Sequence, residues 1–416
     1  MSSDRRPPRH VLGYRCFGCM REHDFKPLYD CPHCGSNLDL VYDYPLLKKK
    51  VSRKSFETEP KRSLWRYSAL LPLSPALPHL TPHVGWTPLY ASRRLGRKLG
   101  LPRLFLKDDG RNATASLKDR ASAVVLMRAQ ALGEKTVCAA STGNAAASLA
   151  CLAAGTGLRT VLFVPQSTPE AKLAQLMIFG AEVLAVDGTY DDAFALSLKA
   201  SSEFGWHNRN TGYNPFTREG KKTAAYELCE QLDWQAPDLV FVPVADGNIL
   251  SGLWKGFKDL HALGLIDNLP KLAAVQVQGA DSIQRAFDGD GTVTPASGQT
   301  IADSMSVRRP KDAEAALAAL RQSIGDAYVV TDEEVLEAMR VLAKEEGLFA
   351  EPAGAAAMAG LLKAAKLGKL DSTERIAVLV TGSGLKDSRS ALKAAGRPAR
   401  VSTLAELKRH VRKAGL

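Results

Sequence analysis

A lysine at the predicted start of a helix is the first residue whose position suggests chemistry. Lys118 lies in the stretch 112–120, between a predicted strand that ends at Lys107 and a helix predicted over 117–132. The N-terminus of a helix is positively polarised, so a cation there is electrostatically unfavourable. The same field favours the neutral amine, which is the nucleophile that forms an imine with an aldehyde. The alternative is a surface lysine that pairs with its neighbour Asp119.

Three more loops follow predicted strands and carry polar residues. Residues 141–144 open an alanine-rich helix, where free backbone N–H groups suit an anion such as a carboxylate. An ordinary helix cap explains the same residue types. Residues 243–249 also join a strand to a helix, and their N–H groups suit a phosphate. Residues 381–384 place a hydroxyl beside flexible backbone.

Short apolar strands alternate with helices through the same part of the chain. The predicted strands are residues 104–107, 137–140, 161–164, 183–186, 239–242, 273–277 and 376–380. The predicted helices include residues 117–132, 145–154, 170–179, 333–346 and 355–367. This alternation predicts an α/β fold with open parallel sheets. Ligands of such sheets bind outside the carboxyl ends of the strands, which is where the four loops lie.

Taken together and in this order, the loops resemble the threonine synthase family of fold type II pyridoxal-5′-phosphate (PLP) enzymes. The resemblance runs from Gly85 to Asp387. The motifs that carry it are residues 85–89, 116–120, 141–144, 219–223, 301–304, 351–353 and 381–387. It implies two open parallel α/β subdomains with the cofactor between them, and the activity of a PLP-dependent lyase.

The resemblance also implies roles for single residues. Lys118 would be the Schiff-base lysine and, once the substrate has released it, the proton shuttle. Asn144 would hydrogen-bond the phenolic oxygen of the cofactor, and Thr381 would face its pyridine nitrogen. A hydroxyl does not keep that nitrogen protonated, which favours elimination and replacement at the β or γ carbon. The residues expected to hold the cofactor phosphate are Ala245, Asp246, Gly247, Asn248 and Ile249. Those expected to grip the substrate carboxylate are Ser141, Thr142 and Gly143.

The substrate that the resemblance implies is O-phosphohomoserine, which reacts with water to give threonine and phosphate. Its phosphate needs a second anion site, for which the family uses an Asn-Ser-x-Asn-Pro-x-Arg stretch. Here the segment is 210–218, with Thr217 in place of the arginine, and Asn214 and Arg218 are the candidate ligands. A serine/threonine dehydratase, or a β-replacement enzyme acting on serine or phosphoserine, is the alternative within the same fold.

Four cysteines near the N-terminus form the pattern Cys16-x-x-Cys19 followed by Cys31-x-x-Cys34. Two such pairs are typical of a zinc ribbon, in which four thiolates complete the tetrahedron that Zn²⁺ prefers. We therefore predict a structural Zn²⁺ that leaves no coordination position open for catalysis. The alternatives are a pair of disulfides or a thioredoxin-like redox motif.

The length of 416 residues suits more than one domain. We predict a zinc-ribbon-like module over residues 1–45, a connector over 46–85, a PLP-dependent catalytic domain over 86–390 and a basic C-terminal helix over 391–416. The net charge of +11 resides at the ends, because residues 63–390 carry 35 charges of each sign. This favours a solvated surface over a nucleic-acid-binding groove. A non-catalytic zinc-ribbon protein that binds nucleic acid is the alternative from another class.

The sequence carries no apolar run near the roughly 18 residues that a membrane span needs. The first ten residues lack the apolar stretch of a secretory signal. We therefore expect a cytoplasmic enzyme that acts on a small phosphorylated amino acid and binds neither nucleic acid nor membrane. A homodimer and a monomer are both left open.

Overall fold

The computed structural model describes residues 8–74, 83–296 and 299–415. Within these ranges the strands form three sheets, one near the N-terminus and two in the body of the chain. Residues 1–7 of the predicted module and residues 75–82 of the predicted connector lie outside the described residues. The predicted domain boundaries at residues 45, 85 and 390 stay predictions.

The N-terminal sheet is antiparallel and has the order β2-β1-β3. Its strands are β1 (Val11–Cys16), β2 (Glu22–His23) and β3 (Leu38–Tyr42). Two short helices follow it, α1 (Tyr44–Lys48) and α2 (Arg53–Glu57). The four cysteines lie at the end of β1 and in the turns between these strands, so a small sheet frames them.

The largest sheet has the order β12-β11-β10-β13-β5-β4. Its strands are β4 (Leu89–Ala91), β5 (Leu104–Asp108), β10 (Leu239–Pro243), β11 (Lys271–Val277), β12 (Asp326–Val330) and β13 (Ile376–Val380). All neighbours are parallel except β4, which is an antiparallel edge strand. The central strands β10 and β13 are buried along their whole length, as expected for a sheet covered on both faces.

The second sheet is parallel throughout and has the order β8-β7-β6-β9. Its strands are β6 (Thr136–Ala140), β7 (Arg159–Pro165), β8 (Glu182–Val186) and β9 (His207–Asn208). The predicted α/β fold with open parallel sheets is therefore confirmed. The short strands β4, β9 and β12 were not predicted from the sequence.

Helices connect the strands, and most of them cover the two larger sheets, whereas α16 has no buried residue. The first group is α3 (Arg93–Leu99), α4 (Lys118–Leu132), α5 (Asn144–Ala153), α6 (Glu170–Met177), α7 (Tyr190–Phe204), α8 (Phe216–Lys221), α9 (Thr223–Gln231) and α10 (Asn248–Ala262). The second group is α11 (Ser282–Asp288), α12 (Ala313–Gln322), α13 (Asp332–Glu346), α14 (Pro352–Lys366), α15 (Ser388–Ala395) and α16 (Leu404–Ala414). None of the described helices has both the length and the apolar character that crossing a membrane requires.

A network of buried charges fixes the elements on either side of the loop that precedes Lys118. Arg120 on α4 pairs with Asp109 at 2.8 Å and with Glu227 of α9 at 2.6 Å. Lys107 at the end of β5 also pairs with Glu227, at 2.8 Å. The four side chains are at most 1% exposed. A buried charge that loses its partner is strongly destabilising, so any movement that separates these pairs is unfavourable. The network therefore fixes the positions of β5, α4 and α9 relative to one another.

Close packing of α8 against α4 completes this arrangement. A Cβ added to Gly220 would lie 2.0 Å from the carbonyl oxygen of Arg120, so only glycine allows the two helices to approach this closely. The approach places the start of α4 beside α8.

Candidate active site

A cavity lies at the carboxyl ends of the parallel strands, where the four predicted loops converge. About 390 Å³ of space free of protein atoms lies within it, part of which is open to solvent. Each of the four loops contributes at least one residue to its walls. The lining residues are Leu117, Lys118, Asn144, Pro243, Ala245, Asp246, Ile249, Ser304, Met305, Glu351, Ala353 and Thr381.

Lys118 is the first residue of α4 and lines the cavity. Its neighbour Asp119 is fully buried and turned away from the cavity. The Asp119 carboxylate accepts a hydrogen bond from the backbone N–H of Thr114 at 2.6 Å and another from the Thr114 hydroxyl. Asp119 therefore holds the preceding loop in place, and the alternative that it pairs with Lys118 is not realised.

The surroundings of Lys118 favour its neutral form. Burial lowers the pKa of the Lys118 amine and the positive charge of Arg209 lowers it further, whereas Asp246 and Glu351 act in the opposite direction. The positive end of the helix dipole acts in the same sense as burial. The amine is thus a nucleophile that faces a cavity, as the sequence predicted.

Asn144 begins α5 and also lines the cavity. Its Nδ2 donates a hydrogen bond to Glu351 Oε1 at 2.6 Å. Burial raises the pKa of Glu351, although Lys386 and Asn144 act to lower it. Glu351 precedes α14, and the sequence analysis noted its motif without giving the residue a role. Its position just before a proline that starts a helix was the available signal.

Ser141, Thr142 and Gly143 form the turn between β6 and α5. The N–H of Gly143 donates to Ser141 Oγ at 3.2 Å. A Cβ added to Gly143 would lie 3.5 Å from Oγ of Ser304, which lines the cavity. The turn thus lies close to Ser304, although none of its three residues is among those that line the cavity.

The loop between β10 and α10 is shaped by a glycine. Gly247 has φ +97°, and a Cβ there would lie 2.6 Å from the carbonyl oxygen of Asp312. Only glycine suits both the left-handed backbone and this close approach. Asp246 Oδ1 accepts a hydrogen bond from the N–H of Asn248 at 3.1 Å, which folds its carboxylate back onto the start of α10. Ala245, Asp246 and Ile249 line the cavity.

Thr381 follows β13 directly and lines the cavity on the side of the larger sheet. Its carbonyl oxygen accepts a hydrogen bond from the N–H of Leu117 at 2.9 Å. The neighbouring residues Ser116 and Gly382 form a β-bridge. These backbone contacts fix the distance between the threonine hydroxyl and the start of α4.

Asn214 and Arg218, predicted as substrate-binding residues, do not line this cavity. Asn214 Nδ2 donates to the carbonyl oxygen of Asn208 at 2.7 Å, and its Oδ1 accepts from the N–H of Phe216 at 2.9 Å. The amide is thus used to shape the turn before α8. It borders a smaller separate cavity together with His207 and Phe216.

Arg218 is turned toward the N-terminal sheet. Its Nη1 donates to the carbonyl oxygen of Leu38 at 2.9 Å, and its Nη2 pairs with Asp312 at 2.5 Å. Adjacent residues on a helix point in different directions, and the Arg218 side chain points away from the cavity. Arg218 therefore does not take the place of the arginine that the family has at position 217.

Asp312 joins the N-terminal sheet to the cavity loop. Its Oδ1 accepts from Asn37 Nδ2 at 2.7 Å and from Arg218. Its Oδ2 accepts from Asn248 Nδ2 at 2.9 Å and from Ser251 Oγ at 2.6 Å. One fully buried carboxylate therefore ties the N-terminal module, α8 and the start of α10 together.

Two buried cations beside the cavity were missed by the sequence analysis. Lys221 Nζ donates to Asn248 Oδ1 at 2.6 Å, and Arg209 Nη1 donates to Thr211 Oγ1 at 2.6 Å. Burial lowers the pKa of Lys221, and the charges of Lys118 and Arg209 add to this effect. Lys221 belongs to the motif at 219–223, to which the sequence analysis gave no role. The two adjacent lysines of that motif were the signal that could have pointed to it.

The four cysteines of the N-terminal module come together. Their sulfur atoms all lie within 4.8 Å of one another. Cys16 Sγ is 3.4 Å from Cys34 Sγ, and Cys19 Sγ is 3.7 Å from Cys31 Sγ. Zn–S bonds of about 2.3 Å in a tetrahedron separate the sulfurs by about 3.8 Å, so this cluster has the dimensions of a zinc site.

The cavity suits an aldehyde cofactor that carries a phosphate. It presents the amine of Lys118, the amide of Asn144 and the hydroxyl of Thr381, and Ala245, Asp246 and Ile249 line it beside the start of α10. The N–H groups of a helix start favour a phosphate. The residues present therefore fit PLP.

Comparisons with known proteins agree with this fit. The model of the pyridoxal-phosphate dependent enzyme family matches residues 80–382. A threonine synthase from Methanocaldococcus jannaschii is 39% identical over 390 residues, which are 93% of this chain and 96% of the relative. A threonine synthase from Methanosarcina acetivorans is 37% identical over 382 residues, 91% of this chain and 93% of the relative.

Solved structures share the fold. A threonine deaminase isoform from Solanum lycopersicum superimposes with a TM-score of 0.66 and 23% identity, over 74% of this chain and 83% of the other. Maize serine racemase superimposes with a TM-score of 0.63 and 22% identity, over 79% and 92%. From the family match and these relatives together, we conclude that the chain belongs to the pyridoxal-phosphate dependent enzymes, as a lyase of the threonine synthase type.

Proposed function

We propose that this chain converts O-phosphohomoserine and water to threonine and phosphate. The observation that carries the proposal is the position of Lys118. Its amine, whose pKa burial lowers, lies at a helix start and lines a cavity to which all four loops of the family motifs contribute. The threonine synthases that the chain matches over more than nine tenths of its length support the choice of substrate.

Lys118 has two tasks in this reaction. In the absence of substrate its amine holds the cofactor covalently, which requires the neutral form that burial favours. When the substrate is bound, the same amine would lie beside the substrate carbons and would take and return their protons. When bound, PLP supplies an electron sink that stabilises negative charge on those carbons.

Other residues orient the two ligands. We propose that Asn144 binds the phenolic oxygen of the cofactor and that Thr381 contacts its ring nitrogen, as a neutral partner. The backbone of residues 245–249 would hold the cofactor phosphate at the start of α10. Ser141, Thr142 and Gly143 would bind the substrate carboxylate with the N–H groups before α5.

Product analysis tests the substrate. We expect the holoenzyme to release inorganic phosphate and threonine in equal amounts from O-phosphohomoserine. Serine, threonine and phosphoserine, assayed in parallel, should give at most a small fraction of this rate, because they do not place a phosphate on the γ carbon. Formation of a 2-oxo acid from serine or threonine as the main product would instead identify a dehydratase.

We further propose that the four cysteines bind one structural Zn²⁺. Cys31→Ser should remove the metal, detected as the loss of about one zinc per chain by metal analysis. It should also lower the melting temperature by several degrees, because the module depends on the metal for its fold. Cys151→Ser, which changes a cysteine outside the cluster, is the matched control and should keep the zinc. A wild-type protein purified without added chelator that contains no zinc would refute this assignment.

A cytoplasmic location, the lack of a nucleic-acid partner and the oligomeric state stay predictions. Retention of the purified protein on DNA in a salt-dependent manner would favour the alternative of a nucleic-acid-binding protein.

A further inference from the structure

Two buried cations differ from the other buried cations in their neighbourhood. Lys107, Arg120 and Lys222 each pair with a carboxylate, at 2.8, 2.6 and 2.6 Å. In the part of the chain that the structure describes, Arg209 and Lys221 have no carboxylate oxygen within 4.0 Å. Both side chains are fully buried. A buried basic group without a partner of opposite charge is costly to keep protonated, so an anion bound beside these two side chains would stabilise their protonated forms.

Two nitrogens of the Arg209 guanidinium donate to neutral hydroxyl groups, and the third lacks a hydrogen-bond partner. Its Nε donates to Ser122 Oγ at 3.1 Å and its Nη1 donates to Thr211 Oγ1. The buried Nη2 has no hydrogen-bond partner among the described residues. A buried donor without a partner costs free energy unless a ligand satisfies it.

Arg209 lies on the side of the cavity where the substrate carboxylate is expected. It follows β9, and its backbone N–H donates to the carbonyl oxygen of Cys138 in β6 at 2.8 Å. Strand β6 ends at Ala140, immediately before the turn 141–143. Tyr190 OH donates to the Ala140 carbonyl at 3.4 Å. The cation therefore stands next to the proposed substrate-binding turn.

Lys221 reaches the same region from α8. Its Nζ shares the acceptor Asn248 Oδ1 with Thr217 Oγ1, at 2.6 and 3.2 Å. Residues four apart on a helix lie on one face, so Lys221 and Thr217 project to the same place. Lys221 thus brings a positive charge to the position that an arginine at residue 217 would reach, whereas Arg218 does not.

Arg209 and Lys221 share one nearby carboxylate. Asp246 acts to raise the pKa of both basic side chains. Asp312, the other carboxylate near Lys221, is paired with Arg218. When Arg209 and Lys221 are both protonated, they carry more positive charge than Asp246 offsets, which favours the binding of an anion such as a phosphate monoester.

We propose that Arg209 and Lys221 together bind the phosphate group of a phosphorylated amino-acid substrate, as specificity-determining residues. The proposal rests on the proposed function and supplies the anion site that Asn214 and Arg218 do not form. The cofactor phosphate has the same chemistry but a different expected place, at the start of α10 beside Gly247.

Calorimetric titration of the holoenzyme with inorganic phosphate tests the proposal without turnover. The bound cofactor blocks its own phosphate site, so the titration reports on a second one. We expect wild-type protein to bind phosphate, and Lys221→Gln and Arg209→Gln to weaken this binding by about 10- to 100-fold. The KM for O-phosphohomoserine should rise by a similar factor in both variants, while the affinity for PLP, followed by visible absorbance, stays unchanged.

Two further variants control for loss of structure and for total charge. Arg209→Lys keeps the charge without the second donor, and should fold and weaken phosphate binding less than Arg209→Gln. Lys98→Gln removes an exposed cation that pairs with Glu345, and should bind phosphate as the wild type does. Adding Thr217→Arg to Lys221→Gln should restore part of the affinity, because both side chains project to the same place.

The outcomes separate this proposal from the proposed function. Unchanged phosphate binding in Lys221→Gln and Arg209→Gln would overturn the proposal, and so would a loss of PLP affinity in place of phosphate affinity. Phosphate binding that depends on both residues in a protein without activity on O-phosphohomoserine would support the anion site and reject the proposed substrate.

Discussion

Lys118→Ala should abolish the yellow colour of the holoenzyme and lower the rate of phosphate release by about three orders of magnitude or more. The loss of colour follows because the imine between the amine and the cofactor cannot form. The loss of rate follows because the same amine moves the protons of the substrate. Visible absorbance and a phosphate-release assay measure the two effects separately.

Reduction of the wild-type holoenzyme with borohydride, followed by peptide mass mapping, should place the cofactor label on Lys118. Lys98→Ala is a suitable control, because it removes an exposed lysine from α3 and should keep both colour and activity. A wild-type protein that stays colourless after incubation with PLP, or a label on another lysine, would contradict the assignment.

Glu227→Gln should lower the free energy of unfolding by about 3–5 kcal/mol at neutral pH. The substitution keeps the shape of the side chain and removes the negative charge that Lys107 and Arg120 share. Burial acts to raise the pKa of Glu227, but the two cations outweigh it and lower the pKa to about 2. Urea denaturation followed by circular dichroism measures the effect.

The pH dependence of stability follows from the same carboxylate. Its pKa is depressed in the folded state, so its contribution is present above the ordinary value of 4.5 and is lost as the pH falls toward about 2. The stability difference between wild type and Glu227→Gln should shrink over this window. Glu345→Gln, which breaks surface pairs with Lys98 and Arg94, should cost far less than Glu227→Gln, because solvent screens such pairs. An equal loss in both variants would show that the buried network contributes nothing beyond a surface pair.

The parts of the fold that were predicted correctly have strong local patterns. Buried parallel strands are continuous apolar runs, such as β10 and β13. The long helices α4 and α13 both end at a glycine, and α13 also has a clear helical period of apolar residues. Strands β4 and β9 are too short for such a pattern, and their pairing depends on neighbours that are distant in the sequence.

The site was predictable to the extent that it lies on strand-end loops. Lys118, Asn144 and Thr381 each follow a strand or start a helix, and the structure brings them to one cavity. The orientation of Arg218 could not be predicted, because a shift by one residue on α8 decides whether a side chain faces the cavity or Asp312. Arg209 and Lys221 differ from other buried basic residues in lacking a carboxylate partner. That difference depends on contacts between distant parts of the chain, so no local sequence pattern could predict it.

The carboxylate of Asp312 also bears on how this architecture arose. Where two domains are joined only by a flexible linker and few contacts cross between them, one can be removed or exchanged without disturbing the fold of the other. Here Asn37 of the N-terminal module and Asn248 of the catalytic loop bind the same buried carboxylate. Removal of the cysteine-bearing segment would deprive Asp312 of Asn37 and Arg218 of the Leu38 carbonyl, so the segment could not be exchanged without new partners for these buried groups.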